Sequence, residues 1–289
     1  MPLTIQPPRE AALWPLLQDA PVGSQLIAGR TLLDFQNDYA EGVGNAYQLE
    51  NAWVTREDWQ KLGTSTGSAA LNSGNGHALA WVGCDDPVQC EQEIEASDDS
   101  FLIRYAWEFI QINEAIVASL TEPDYQGDVS PAAHIDGIVH VGEGSKILPG
   151  VVIEGNVVIG KNCKIGPNCY LRGSTTIGDG CHIGQAVEVK NSIIGHGSSV
   201  GHLSYVGDSV IGNKVNFGAG TITSNLRHDG LNHRSLVGDN LVDTGRRKFG
   251  TVIGDGTHTG IHTAIYPGRK LGPNTSTRPN GTVERDLIN

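Results

Sequence analysis

A six-residue period is the feature that most restricts how this chain can fold. Stepping by six from Ile135 meets Ile135, Val141, Ile147, Ile153, Ile159, Ile165, Leu171, Ile177, Ile183 and Val189. Gly often follows the apolar residue, as at Gly142, Gly160, Gly166, Gly178 and Gly184, and the position two before it is small, as at Ser145, Cys163, Cys169, Thr175 and Cys181. After a slip of one residue the pattern resumes at Ile194, Val200, Val206, Ile211 and Phe217, and it returns late at Ile253, Thr259, Ile265 and Leu271. Such a short period is too tight for helices and fits a solenoid of very short strands joined by tight turns. The apolar residue points inward, and Gly is expected to supply the backbone freedom of each corner. Three hexads make one triangular coil, so residues 18 apart stack at about 4.8 Å. Cys163 and Cys181 should share one inner column as small core residues. The second part of the chain therefore reads as a left-handed parallel β-helix of hexapeptide repeats, a mainly β fold preceded by a small α+β domain.

The division into two parts shows in charge and composition. Residues 1–125 carry 5 Lys+Arg against 19 Asp+Glu and hold all five tryptophans, whereas 126–289 carry 15 against 13 and hold 29 of the 38 glycines. The boundary is placed at 123–133, in PDYQGDVSPAA, giving an acidic α+β domain over 1–125 and a β-helix over 126–289. In the first domain Thr55 of VTREDWQKLG is an N-cap with acidic residues after it, predicting a short helix. The segment SDDSFLIRYAWEFIQINEAIVASL is apolar at helical spacing and predicts a helix joining the two domains. The acidic run from Asp85 to Asp99 reads as a solvated face.

Several function classes are excluded at this point. A net charge of −12 argues against nucleic-acid and membrane-surface partners. No apolar run is long enough to span a bilayer and the N-terminus lacks a secretory pattern, so a cytoplasmic protein is expected. Five cysteines, an odd number, argue against a disulfide framework, and without a CxxC pair no metal site is expected.

Residues 187–230, VEVKNSIIGHGSSVGHLSYVGDSVIGNKVNFGAGTITSNLRHDG, carry polar residues that a bare coil does not need. This stretch resembles the hexapeptide-repeat acyltransferases. It is similar to the acetyltransferase domain of glucosamine-1-phosphate N-acetyltransferase/N-acetylglucosamine-1-phosphate uridylyltransferase. The archaeal-type sugar-1-phosphate nucleotidylyltransferase/acetyltransferase branch shares NLRHD and the later GRRK…G…GD…TGI…PG segment, and the likeness covers about 150 residues of the second domain. It implies a homotrimer with acetyl-CoA between neighbouring coils. The reaction implied is acetyl transfer to the amine of an amino-sugar phosphate such as glucosamine-1-phosphate. That chemistry needs a base, oxyanion donors and cations for phosphates.

On this resemblance His202 is the catalytic histidine, imidazole being suited to taking an ammonium proton at neutral pH. Asn225 is the asparagine beside the acetyl and amine groups, and Tyr205 and Asn216 contact the sugar. Arg172 and Lys190, 18 residues apart and therefore stacked, hold the sugar phosphate, with Glu188 as the orienting acid. Two such cations repel unless an anion lies between them. Gly218, Ala219 and Gly220 form the turn that meets the cofactor's pantetheine, and Arg246, Arg247 and Lys248 meet a CoA phosphate. Equally plain roles as corner, packing or solvated residues exist for each of these.

The chain also departs from the family. Leu226 stands where the bacterial enzyme has tyrosine, and Leu231 and Arg234 stand where the archaeal branch carries lysines. LIAGRTLLDF, residues 26–35, lacks the glycine-rich phosphate loop of the nucleotidyltransferase domain, so pyrophosphorylase activity is not expected. Two alternatives therefore stay open. One is acylation of another small acceptor or a sugar nucleotide, and the other is a non-catalytic trimeric sugar-nucleotide-binding or assembly protein.

Overall fold

The computed structural model describes residues 3–9, 11–17 and 20–288. The chain divides into two compact units, one built mainly of residues 30–105 and the other of residues 106–289, each completed by short N-terminal stretches. Residues 106–125, grouped with the acidic part by composition, thus cluster with the β-helix.

The first unit is α+β. Its five-stranded mixed sheet runs in the order Thr4–Gln6, Ala46–Leu49, Ala78–Val82, Ala69–Asn72, Gln92–Glu95. Two helices accompany it, α1 (Leu32–Tyr39) and α2 (Arg56–Gly63). α2 is the helix expected after Thr55, whose side chain accepts from the Asp58 amide. It buries Trp59 and Leu62 against Leu71, Leu79 and Trp81. The Asp58 side chain is fully buried, bonded to Lys61 at 2.6 Å and to the Ser97 and Ser100 hydroxyls at 2.6 Å each. Burial alone would raise this carboxyl, but those donors outweigh it and hold its pKa at about 2. The acidic residues from Asp85 to Asp99 all point to solvent.

One expectation fails in this region. The helix predicted over residues 97–120 forms only at its end, as α3 (Phe109–Ala118), after a turn of 3-10 helix at Ala106–Glu108. Phe101–Leu102 instead pairs antiparallel with Ala52–Trp53, so partners distant in sequence override helical spacing there. Cys84 and Cys90 form a disulfide. They lie six residues apart with Cα atoms 5.9 Å from each other, a local bridge rather than a framework.

The second unit is the expected parallel β-helix. Its three faces are parallel sheets of eight, six and eight strands. Val157 pairs with Thr175 and Leu171 with Val189, an offset of 18, and after the slip Ile177 pairs with Ile194, an offset of 17. The inward column from Val139 to Val283 forms one continuous core. Cys163 and Cys181 lie within it, and their thiols donate to the Gly178 and Gly195 carbonyls at 3.1 Å each.

Glycine turns only part of the corners. Gly166 has a positive φ, as do Gly144, Gly150 and Gly180, whereas Gly142, Gly160, Gly178 and Gly184 do not, and left-handed torsions fall also on Asn162, Asn168 and Asn191. Asn tolerates that region through local hydrogen bonding. Gly142 is needed for closeness, since a Cβ there would meet the Gly160 carbonyl carbon at 2.6 Å.

Beyond Asn225 the coil opens. Ile222 pairs with Ala264 and Val210 with Val252, an offset of 42 instead of 18, so 24 extra residues leave the helix before it resumes in phase. This excursion carries the hairpin Arg234–Val237/Asn240–Asp243. Its neck is closed by the Phe249 amide donating to the Asn225 carbonyl at 3.1 Å and by the bridge between Leu226 and Lys248. Buried His233 reaches the same carbonyl through Nε2 at 3.0 Å. Among the described residues no helix is long and apolar enough to cross a membrane, and no cluster of His, Cys, Asp or Glu is placed to hold a metal ion.

Candidate functional site

One face of the β-helix stacks the polar residues singled out above. The strands Tyr170–Arg172, Glu188–Lys190, Tyr205–Gly207 and Ile222–Thr223 lie in register, with Tyr170, Glu188, Tyr205 and Ile222 in one column and Arg172, Lys190 and Gly207 in another. Leu171, Val189 and Val206, between the two columns, are buried, so strand alternation turns both columns outward.

The stacked cations each have a carboxylate. Arg172 donates from Nε to Glu188 Oε1 at 2.8 Å and lies over the Tyr170 ring at 5.5 Å. Lys190 Nζ donates to both oxygens of Asp208 at 2.8 Å. The anion that lets two cations share one face therefore comes from the protein itself.

Asp208 is the centre of the site. Its side chain is 2% exposed, and it also accepts from Asn191 Nδ2 at 3.1 Å and Asn225 Nδ2 at 2.5 Å. The Asn225 amide donates in turn to the Tyr205 hydroxyl at 2.8 Å. Burial, followed by the Asp208 and Glu188 carboxylates, pushes the Tyr205 phenol above its ordinary value, so it remains an O–H donor at neutral pH. Gly207 makes this arrangement fit. A Cβ there would strike the Tyr205 hydroxyl and stand 2.6 Å from its Cζ and 2.7 Å from Asn225 Nδ2.

A second polar chain leaves the same carboxylate. Asn191 also donates to Glu114 Oε1 at 2.5 Å, and Glu114 accepts both terminal nitrogens of Arg246, at 3.0 and 2.5 Å. α3 supplies Glu114, and the neighbouring Asn113 pins α3 to the coil by donating to the Ser174 carbonyl at 2.9 Å and accepting from Thr176 at 2.6 Å. Arg246 is thus held by Glu114, whereas Arg247 and Lys248 are exposed.

His202 ends the strand Ser199–His202 on the adjoining sheet, one corner before Tyr205, with Leu203 at φ 50° between them. Its carbonyl accepts from the Gly220 amide, and its exposed ring makes no hydrogen bond among the described residues. The ring lies near His182, whose pKa is lowered by burial, by Lys164 and by His202. Asn216 is exposed on that same sheet, opposite Ser199, and takes no part in the Tyr205–Asn225 network. At Gly218 a Cβ would meet the Gly260 carbonyl carbon at 2.6 Å, and at Gly220 it would strike the His262 ring. The next coil therefore accounts for both glycines, and Ala219 between them is half-buried.

Beyond Asn225 a cavity of about 570 Å³ is lined by Ile222, Ser224, Leu226, Arg227, Tyr266 and Pro267, among others. Leu226 and Tyr266 expose their side chains, and Arg227 is already paired with Asp229. Asp208, Asn191 and Glu114 were not among the residues read from the sequence. The signal for Asp208 was present, a carboxylate directly after Gly207, which is the partner of Lys190 on the next coil.

A family model described as the GMPPB C-terminal domain matches residues 135–239 and 164–266. The "bifunctional sugar-1-phosphate nucleotidylyltransferase/acetyltransferase" of Sulfurisphaera tokodaii is 43% identical over 181 residues, covering 63% of this chain and 45% of that protein. The "bifunctional protein GlmU" of Methanococcus aeolicus is 39% identical over 181 residues, covering 63% of this chain and 44% of its own length. That of Methanococcus vannielii is 45% identical over 100 residues. The chain spans less than half the length of these relatives. In sequence the chain is similar to these archaeal relatives, in line with the resemblance described above.

Proposed function

We propose that the chain is a CoA-dependent N-acetyltransferase that moves the acetyl group of acetyl-CoA to the amine of an amino-sugar phosphate such as glucosamine-1-phosphate. The observation that carries this reading is the Tyr205–Asn225 pair, set one strand beyond an unbonded His202 on a parallel β-helix. His202 takes a proton from the amine as its nitrogen attacks the thioester carbonyl. The C–N bond forms, the C–S bond breaks, and the proton passes to the departing thiolate. Asn225 and Tyr205 orient the acceptor. Arg172 and Lys190 face its phosphate across their carboxylate partners, so the phosphate must draw them partly away from Glu188 and Asp208. Arg247 and Lys248, rather than Arg246, are the cations open to a CoA phosphate. The exposed apolar side chains of Leu203, Ile261 and Tyr266 suit the trimer that goes with this reading.

A second reading, acylation of another small acceptor or a sugar nucleotide, is favoured by the cavity beside Asn225. Its apolar wall of Ile222, Leu226 and Tyr266 offers little to a sugar phosphate. Thiol release from acetyl-CoA, followed with glucosamine-1-phosphate, galactosamine-1-phosphate and their nucleotide-linked forms, separates the two. Release with the sugar phosphates supports the first reading, and release only with nucleotide-linked acceptors supports the second. No release with any of them refutes acyl transfer to amino sugars.

A further inference from the structure

We propose that Asp208 is a positioning residue that sets which atoms of Asn225 and Tyr205 meet the acceptor, an inference that rests on the acyl-transfer reading above. An ionised carboxylate only accepts hydrogen bonds. The Asn225 group 2.5 Å from Asp208 must therefore be its NH₂, which decides the orientation of an amide whose two ends are otherwise alike. The second N–H of that NH₂ goes to the Tyr205 hydroxyl. Both donors are then used within the protein, and the atom left for a ligand is Asn225 Oδ1, an acceptor. Tyr205, accepting from Asn225, keeps its own O–H to donate. The pair offers one acceptor and one donor side by side, the complement of an amine N–H next to a sugar oxygen.

The position of Asp208 suits this role. It sits at φ 49°, directly after Gly207, with its side chain turned into the coil, and its carbonyl accepts the Gly250 amide at 2.9 Å where the chain returns from the excursion. It fixes the site from behind and touches no acceptor itself. Without it the Asn225 amide is free to turn its NH₂ outward, placing donor against donor at the amine.

The test is a double-mutant cycle. Asp208→Asn keeps the shape, and Asn accepts the left-handed torsion readily. Turnover of acetyl-CoA and glucosamine-1-phosphate is measured for wild type, Asp208→Asn, Asn225→Ala and the double variant, with melting temperatures alongside. Loss of orientation on the scale of an ångström lowers kcat by ~10–100-fold in Asp208→Asn. Because Asp208 acts through Asn225, the double variant is expected within ~2-fold of Asn225→Ala. Wild-type kcat in Asp208→Asn, or losses that multiply in the double variant, overturn the inference, since a merely structural role is additive. If Asp208→Asn does not fold, the cycle is run in a Lys190→Met background, which removes the ammonium left without its partner. A wild-type protein inactive on every amino sugar defeats the acyl-transfer reading and this inference with it, whereas additivity in an active protein defeats this inference alone.

Discussion

Gly207→Ala is the sharpest probe of the site, because its effect can be worked out from the coordinates. Gly207 does not have a positive φ, so alanine there brings no torsional strain. The new methyl would lie 2.6 Å from Tyr205 Cζ and 2.7 Å from Asn225 Nδ2, where ordinary contact between carbon atoms begins near ~3.5 Å. Both groups must retreat by roughly 0.8 Å, judged against that ~3.5 Å limit. Tyr205 is half-buried and has solvent on its outer side, so it can move without breaking the core. Overpacking costs about 1–3 kcal/mol, and reduced freedom of the unfolded chain returns about 0.4–1 kcal/mol. The net loss of stability is therefore expected to lie between about 0 and 2.6 kcal/mol. Displacement of the reacting groups by nearly 1 Å is expected to lower kcat by ~10–100-fold. The assay is thiol release from acetyl-CoA at saturating acceptor, with a thermal melt of the same preparation. Gly44→Ala, with nothing within 4 Å of its Cβ position, serves as the control. Wild-type kcat in a Gly207→Ala protein with an unchanged melt would refute the claim that Tyr205 and Asn225 form the working pair.

The other expectations concern separate parts of the molecule. His202→Ala should lower kcat by ~10²–10⁴-fold and leave the acetyl-CoA dissociation constant within about twofold; full activity would remove His202 as the base. Arg246→Ala should cost about 1–3 kcal/mol in urea unfolding, because Glu114 loses both its guanidinium donors. Arg247→Ala should stay within about 0.5 kcal/mol and weaken CoA binding instead, and the reverse order would refute these assignments. Asp58 should support the first unit above pH ~4, the unfolded carboxyl value, with its share of about 2 kcal/mol lost as pH falls towards its folded value of about 2. Asp58→Asn should remove that acid-dependent loss, and an unchanged acid profile would count against it.

Much of this fold was legible in the sequence because a coil repeats one requirement. Each inward side chain must fit the same triangular core, so the period, the 18-residue register and the slip after Val189 all show as spacing. The break at Asn225 was visible as the place where spacing stops. Chain geometry was less legible: Gly142 and Gly160 serve close approach between coils, and the corners are shared between other glycines, such as Gly166 and Gly180, and asparagine. Phe101 and Leu102 fit a helical stripe, yet strand partners some fifty residues earlier claim them, which local spacing cannot show. The site divides in the same way. Tyr205, Asn225, Arg172 and Lys190 were found through the resemblance, which matches them to family positions. Asp208, Asn191 and Glu114 bond to one another and to other side chains, and their role depends on contacts between coils, at the corner and from α3.

The pinched neck between Asn225 and Phe249 has a consequence for how such proteins diversify. The β-helix leaves and re-enters at adjacent points and keeps its phase, so the number of residues in between hardly matters to the coil. Doubling a flexible loop whose ends are held together costs only about 0.6 kcal/mol. Tyr205, Asn225 and His202 belong to the coil, whereas Leu226, Arg227 and Leu231 belong to the excursion. On the proposed function, one contiguous segment bordering the acceptor can then change by insertion, deletion or replacement without retuning Tyr205, Asn225 and His202. Acceptor choice would then be separable from the chemistry, the two joined at a hydrogen-bonded doorway.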